Sequence, residues 1–384
     1  MGAGGRRPHP AVTSPTVTID RIELRLVPLR LRRPFEISSG SRQDRQILLV
    51  TVEGGGERGW GECVAAEDPG YSYETTETAW HVLRDFIAPA VVGARGAEPG
   101  EWMSGASWVR GHRMAFAAVE MALWDLAARL RGVSLADAVG GGRRPVDVGV
   151  SVGLQPSDAQ LVERIEEYAG EGYRRIKIKI KPGRDVEMLA AVRTRFPDLP
   201  LMADANSAYT LADADRLAEL DALDLMMIEQ PLGHADLRDH ARLQEHLRTP
   251  ICLDESICSL HDASLALELG SCRVLNIKPG RVGGFGSARA IHDLCVAHGV
   301  PVWCGGMLES GVGRAHNVAL ATLEGFTLPG DISASARYWD DDLVSPEFML
   351  RDGTLELPDA PGIGVRPRID RIERLTIRRE VIGS

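Results

Sequence analysis

The strongest constraint on what this chain can fold into is a beat. From residue 146 onward, short apolar runs recur at a near-constant interval: VDVGVSVG (146–153), RIKIKIK (175–181), LMADAN (201–206), LMMIEQP (225–231), ICLDES (251–256), VLNIKPG (274–280), VPVWCGG (300–306) and FTLPGDI (326–332). Helix-like stretches such as DVEMLAAVRTRF and FGSARAIHDLCVAHG lie between them. The polar residues Lys179, Asp204, Glu229, Asp254 and Lys278 step by 25, 25, 25 and 24. A strand–helix unit repeated at that length, with eight strand candidates, predicts a (β/α) barrel. The rival is an open doubly wound sheet, which gathers its site at one switch point. Here every strand candidate runs into a polar group, which favours the barrel.

Residues 17–65 carry β-branched residues in approximate alternation and predict strands, with GGGERGW as a turn. Residues 72–132 predict helices, the last being MAFAAVEMALWDLAARLRG with its closing glycine. The expected organisation is a flexible tail (1–15), an α+β capping domain (16–143), the barrel (144–340) and a C-terminal segment (341–384) returning to the cap. A net charge of -10 argues against nucleic-acid or anionic-membrane partners. Six scattered cysteines without a CxxC pair read as reduced thiols of a cytoplasmic protein. The expected partners are a small-molecule substrate and further copies of the chain.

Active sites of such barrels lie at the C-terminal strand ends. Asp204, Glu229 and Asp254, from three neighbouring strands, would converge there. Three close anions need a counter-ion, and an all-oxygen set without His or Cys selects Mg²⁺ over Zn²⁺. The bland alternative is that each carboxylate caps the helix that follows. Lys179 and Lys278, on strands two and six of eight, would face each other across the barrel. Burial and neighbouring ammoniums lower a lysine's pKa towards values useful to a base, whereas nearby carboxylates hold its charge in place. Lys181, before Pro182-Gly183, sits at the rim.

With these residues assembled, the chain resembles the enolase superfamily, muconate-lactonising subgroup, and within it the o-succinylbenzoate synthase / N-acylamino acid racemase family. The matching blocks are PFEISSG, GWGECV, KIKIKPG, DANSAYTL, IEQPL, CLDESI, NIKPGRVGG, WCGGMLESGVGRAHN and DISAS. The resemblance implies a (β/α)₇β barrel under an α+β cap, with residues 35–41 as the loop that closes over substrate. It implies Mg²⁺, replaceable by Mn²⁺ or another divalent ion, on Asp204, Glu229 and Asp254. Lys179 and Lys278 would be the acid/base pair and Lys177 the contact to the substrate carboxylate, with Ser151, Asn206, Gly306 and Met307 lining the site. The implied chemistry is removal of a proton α to a carboxylate, as synthase, racemase or both. Other cycloisomerases and dipeptide epimerases are alternatives within the superfamily. A Schiff-base aldolase or a non-catalytic sugar-acid binder would also use a barrel lysine.

Mandelate-type racemases use a strand-seven His; here that strand ends at Trp303-Cys304, and His298 reads as structural. Asp331-Ile332-Ser333 lacks the second Asp of dipeptide epimerases, which suits an uncharged, acylated nitrogen. Arg281 would tune Lys278, and Glu309 would hold it. The glycines of PGRVGGFG and SGVGRAHN would allow close backbone approach to substrate carboxylates, and DDD at 340–342 reads as a solvated turn.

Overall fold

The computed structural model describes residues 15–37 and 40–383. The expected tail falls almost wholly outside them, as do two residues of the expected closing loop, Ser38 and Ser39.

Strands β1 (Val17–Ile37), β2 (Gly40–Gly54) and β3 (Glu57–Cys63) form an antiparallel meander. Helices α1 (Thr76–Val82) and α2 (Arg113–Arg131) cover one face of it. The GWGEC run of β3 explains how close α2 comes. A Cβ at Gly59 would lie 2.1 Å from the Ala122 carbonyl, and one at Gly61 would lie 2.1 Å from that of Ala118. Only glycine lets the helix backbone rest directly on the strand. Gly132, in the left-handed conformation, ends α2 by donating to the Ala128 and Arg129 carbonyls.

The beat becomes a curled parallel sheet of seven strands: β4 (Val150–Val152), β5 (Ile176–Lys179), β6 (Leu201–Asp204), β7 (Ile228–Glu229), β8 (Ile251–Leu253), β9 (Val274–Ile277) and β10 (Val302–Cys304). Their spatial order follows the chain, and helices such as α3 (Asp158–Gly170), α4 (Val186–Arg195), α5 (Arg238–His246), α6 (Leu260–Leu269), α7 (Phe285–Ala297) and α8 (Gly311–Ala321) lie between them. The isoleucines of β5 pack outward into the main core. The inward layer is capped below by Met202, Met227, Cys252, Val274 and Trp303.

The eighth strand candidate closes the barrel without forming a regular strand. Phe326 bridges Val302 on one side, and Gly330 bridges Val148 on the other. Asp331 N–H donates to the Cys304 carbonyl at 2.8 Å, and Gly149 N–H donates to that of Gly330 at 2.7 Å. Pro329 has no N–H to give to a ladder, so the segment pairs only at isolated points. The first candidate, 146–153, is split: Val146–Asp147 pairs antiparallel with Thr354–Leu355, and only Val150–Val152 joins the barrel. At the end of the chain, β11 (Arg378–Gly383) adds to β1, Leu26 opposite Arg378.

Candidate active site

Period-two alternation on β5 sends Lys177 and Lys179 into the barrel while Ile176 and Ile178 face the helices. Asp204 ends β6 and Glu229 ends β7; Asp254 and Lys278 stand one residue beyond β8 and β9. All six are at most 6% exposed. Lys177, Lys179, Asp204, Asp254 and Lys278 line a cavity of about 160 Å³ together with Ser151, Asn206, Gly306 and Met307. Phe35, Arg42, Arg45 and Tyr71 close it from the cap. Glu229 lies just beneath, fully buried. Larger surface clefts of about 490 and 580 Å³ lie elsewhere and gather none of these groups.

The charges are interleaved. Lys177 Nζ lies 3.0 Å from Glu229, 3.1 Å from Asp204 and 2.9 Å from Asp331. Lys179 Nζ donates to Asp204 at 2.6 Å and to Asn206 Oδ1 at 2.5 Å. Lys278 Nζ donates to Asp254 at 2.8 Å and to the Tyr71 hydroxyl at 3.2 Å. Asn276 Nδ2 donates to Glu229 at 2.8 Å. Among the described residues no three His, Cys, Asp or Glu side chains are drawn together tightly enough to hold a metal as they stand, because ammonium groups sit between the carboxylates.

Burial opposes ionisation of Asp204, yet Lys179 and Lys177 hold it well below the usual carboxylate range. Glu229 is pushed up, by burial and then by the neighbouring Asp204. For Lys278, burial works to lower the pKa, but the fields of Tyr71, Glu229 and Glu255 outweigh it and the net direction is up. Lys177 goes the same way, with Asp331, Glu229 and Asp204 prevailing over burial. For Lys177 and Lys278, neighbouring acidic groups therefore outweigh burial in this arrangement.

Arg281 is 2% exposed, ion-paired to Asp254, with Nε on the Ile257 carbonyl at 2.8 Å and Nη2 on that of Asn276 at 2.6 Å. It clamps the carboxylate that Lys278 uses. Glu309 makes a different contact from the one expected: it accepts from Asn317 Nδ2 at 2.9 Å, while the partners of Lys278 are Asp254 and Tyr71. Lys181 is exposed, and so is His298, whose Nδ1 lies 2.8 Å from the Leu294 carbonyl.

Two further expectations are corrected. The glycines at the starts of α7 and α8 face protein carboxylates instead of the cavity. A Cβ at Gly284 would lie 2.2 Å from Glu120, whose carboxylate accepts from Phe285 and Gly286 N–H. Glu62 accepts likewise from Ser310 and Gly313 N–H. And Asp342 of the DDD run is fully buried: it accepts from Gly311 N–H at 2.7 Å and from Ser335 at 2.6 Å, and pairs with Arg314. Helix N-termini attract these carboxylates because their first amides lack partners.

Asn276, Tyr71 and Asp331 belong to the site and were not assigned from sequence. Asn276 shares a strand face with Lys278, so alternation alone could have found it. Tyr71 sits in a cap connection with no periodic signal.

Residues 21–140 match the model of the mandelate racemase / muconate lactonizing enzyme N-terminal domain, and residues 160–371 match that of the enolase C-terminal domain-like family. The chain is 54% identical to the o-succinylbenzoate synthase of Geobacillus stearothermophilus, over 94% of this chain and 96% of that one. It is 47% identical to the N-succinylamino acid racemase of an Amycolatopsis species, over 94% and 99%. A crystal structure of an enolase superfamily member from Listeria innocua superposes with a TM-score of 0.91 at 42% identity, covering 96% of this chain and 99% of that one.

Proposed function

The chain belongs to the enolase superfamily, in its mandelate racemase / muconate lactonizing branch, and on that premise we infer that it removes the proton α to a substrate carboxylate, as an o-succinylbenzoate synthase, an N-succinylamino acid racemase or both. One observation carries the reading. Lys179 ends β5 and Lys278 follows β9, separated by the three strands that end in or lead into Asp204, Glu229 and Asp254, and both line one cavity. Four steps around an eight-position barrel is its diameter, so two ammonium groups flank whatever the cavity holds.

Enzymes of this superfamily use a divalent metal, typically Mg²⁺. The residues here fit one: the donors are all carboxylate oxygens, and Glu229 is buried against the like charge of Asp204. Asp331 Oδ1, Glu255 Oε2 and Ser151 Oγ are buried polar atoms with no partner. Asp204, Glu229 and Asp254 would hold the ion. Bound there, it would offset the carboxylates' field on the lysines and stabilise the negative charge that deprotonation puts on the substrate carboxylate.

In racemisation, one lysine takes the α-proton as a neutral amine and the opposite lysine, as ammonium, returns a proton to the other face; each then exchanges roles for the reverse substrate. In the synthase reaction, Lys179 takes the α-proton and gives it to the departing hydroxide on the same face, releasing water, while Lys278 supplies positive charge. Lys177, held by Asp204, Glu229 and Asp331, would position the carboxylate. Arg281 fixes the Asp254 carboxylate under Lys278. The proposal extends to a cytoplasmic homo-oligomer acting on a small-molecule carboxylate; among the described residues no helix is long and apolar enough to cross a membrane.

The test is α-proton exchange in D₂O with Mg²⁺, using N-succinylamino acids beside the cyclohexadiene precursor of o-succinylbenzoate. Exchange or turnover of either supports the reading. A folded protein that exchanges and turns over neither sinks it.

A further inference from the structure

The two lysines that face each other across the cavity are held by different parts of the molecule. Among the described residues, Lys179 is held by the barrel: its Nζ donates to Asp204 and to Asn206 Oδ1, and Asn206 Nδ2 donates in turn to Glu255 at 3.0 Å. The ion pairs of Lys177 also go to barrel residues. Lys278 has one partner from the barrel, Asp254, and one from the cap, Tyr71.

Tyr71 stands in the connection between β3 and α1, and that connection is tied down. Ala66 bridges Thr75, and the Ala66 carbonyl accepts from Thr76 N–H at 2.7 Å. Asp68 accepts from Gly70 N–H at 2.9 Å and pairs with Arg42 of β2. The Tyr71 side chain packs against the cap core. Its ring centroid lies 4.8 Å from Lys278 Nζ, within cation–π range. The hydroxyl uses its full bonding capacity: it donates to Asp254 Oδ1 at 3.1 Å and accepts from Lys278 Nζ at 3.2 Å and from Arg281 Nη1 at 3.3 Å. One side chain of the cap thus touches the lysine, the carboxylate beside it and the arginine that clamps that carboxylate.

We propose that Tyr71 is a positioning residue for Lys278: through it the cap aims one of the two lysines at the α-carbon, while the barrel holds the other. The inference rests on the α-proton reading above. Two features favour it. Asp254 is one of the carboxylates that would hold the ion, so Tyr71 is the partner of Lys278 that lies outside that set. A hydroxyl also accepts from an ammonium and donates to a neutral amine, whereas a carboxylate only accepts. Tyr71 can therefore keep Lys278 in place before and after it takes a proton, and itself neither gains nor loses one. The consequence is an asymmetry between the two faces of the α-carbon, of which one depends on the cap.

The test follows α-proton exchange of each enantiomer of an N-succinylamino acid in D₂O with Mg²⁺, by proton NMR, in the wild type, Tyr71→Phe and Tyr71→Leu. Lys278→Ala, run alongside, identifies the enantiomer whose proton faces Lys278. Tyr71→Phe keeps the ring and removes the hydroxyl. For that enantiomer it should lower kcat by roughly ten- to a hundredfold, part of the factor a positioned acid or base contributes, and about tenfold more than for the other enantiomer. Tyr71→Leu, which removes the ring face as well, should lose more on the same face. A packing defect or a general loss of binding cannot tell the faces apart, so equal losses on both, or a raised KM with kcat unchanged, overturn the proposal. Turnover of the cyclohexadiene by a wild type that exchanges nothing on the Lys278 face overturns it too, while leaving proton abstraction standing. Exchange of neither enantiomer by the wild type, alongside no turnover of the cyclohexadiene, removes the underlying reading and this role with it.

Discussion

Two sets of carboxylates are buried in this molecule and are compensated chiefly by different means. Asp204, Glu229 and Asp254 at the barrel mouth are at most 1% exposed and face side-chain ammonium groups. Glu62, Glu120 and Asp125 form a seam that ties the cap to the barrel and the C-terminal segment; they are 1, 6 and 0% exposed and face chiefly backbone amides: Ser310 and Gly313 for Glu62, Phe285 and Gly286 for Glu120, and Trp60 and Ile363 for Asp125, which also pairs with Arg129. Amides of a folded helix cannot move aside, so the seam carboxylates lock two layers together. Lysine side chains can swing, so the mouth carboxylates can exchange partners. Buried charge is costly in both places, and the difference shows which cost serves architecture and which serves chemistry.

The largest expected effect tests the mobile set. Lys278→Ala should stop racemisation, by at least about 10³-fold in kcat, within the range that a positioned acid or base contributes. Exchange of the proton on its face should stop as well, while Lys179→Ala affects the other face. Proton NMR of each enantiomer in D₂O reads this directly. Wild-type exchange of both enantiomers by Lys278→Ala would dismiss the opposed pair.

Next, Glu229→Gln should separate function from stability. Glu229 is held up by burial and by Asp204, so neutralising it relieves a repulsion in the ion-free protein. Lys177 keeps Asp204 and Asp331 as partners. Calorimetric titration with Mg²⁺ should show affinity reduced more than about tenfold, in line with losses seen when metal-site groups are altered, and activity should fall with it. The denaturation midpoint in EDTA should stay level or rise. A large drop in that midpoint would mean Glu229 is structural, like the seam set.

The two sets also differ in how far the sequence discloses them. The mouth set was readable because the barrel repeats: one polar residue per strand end, about 25 residues apart, converges by geometry alone. The inward lysines followed from alternation on β5. The seam set was not readable, because Glu120 meets Phe285 across 165 residues and Glu62 meets Ser310 across 248. No local pattern encodes which carboxylate will cap which helix. For the same reason Asp342 read as a surface turn, and the glycines beside α7 and α8 read as substrate-facing. The irregular eighth strand was half legible: FTLPGDI is apolar enough to close the barrel, but Pro329 already forbids a full ladder. Tyr71 reaches Lys278 from a connection whose path is set by packing.

Glu120→Ala should then cost stability rather than chemistry. It strands the Phe285 and Gly286 amides and the Trp124 indole N–H, which now donate at 2.8, 2.9 and 2.8 Å. Buried unpaired donors cost about 1–3 kcal/mol each, so a loss of about 3 kcal/mol in urea denaturation is expected after water satisfies some of them. A loss below about 1 kcal/mol would mean the seam is not locked by this carboxylate.

The smallest effect sharpens the comparison through pH. Burial pushes Glu62 up to about 7, with Glu309 adding to it and the Ser310 and Gly313 donors opposing; burial also takes Glu120 to about 7. A carboxyl group whose folded pKa is raised contributes stability that is complete below its unfolded value, 4.5, and lost as pH rises through about 7. Fully expressed, a rise of that size corresponds to at most about 3 kcal/mol per group, and helix amides that favour the anion reduce it. Glu62→Gln keeps an acceptor oxygen for Ser310 and cannot titrate, so its stability should fall less between pH 5 and pH 8 than that of the wild type. Glu120 still titrates in the variant, so the slope should be reduced without vanishing. Parallel pH profiles for variant and wild type would show that Glu62 stays ionised throughout, held by its amide donors. The seam would then differ from the mouth only in the kind of partner, without any difference in protonation.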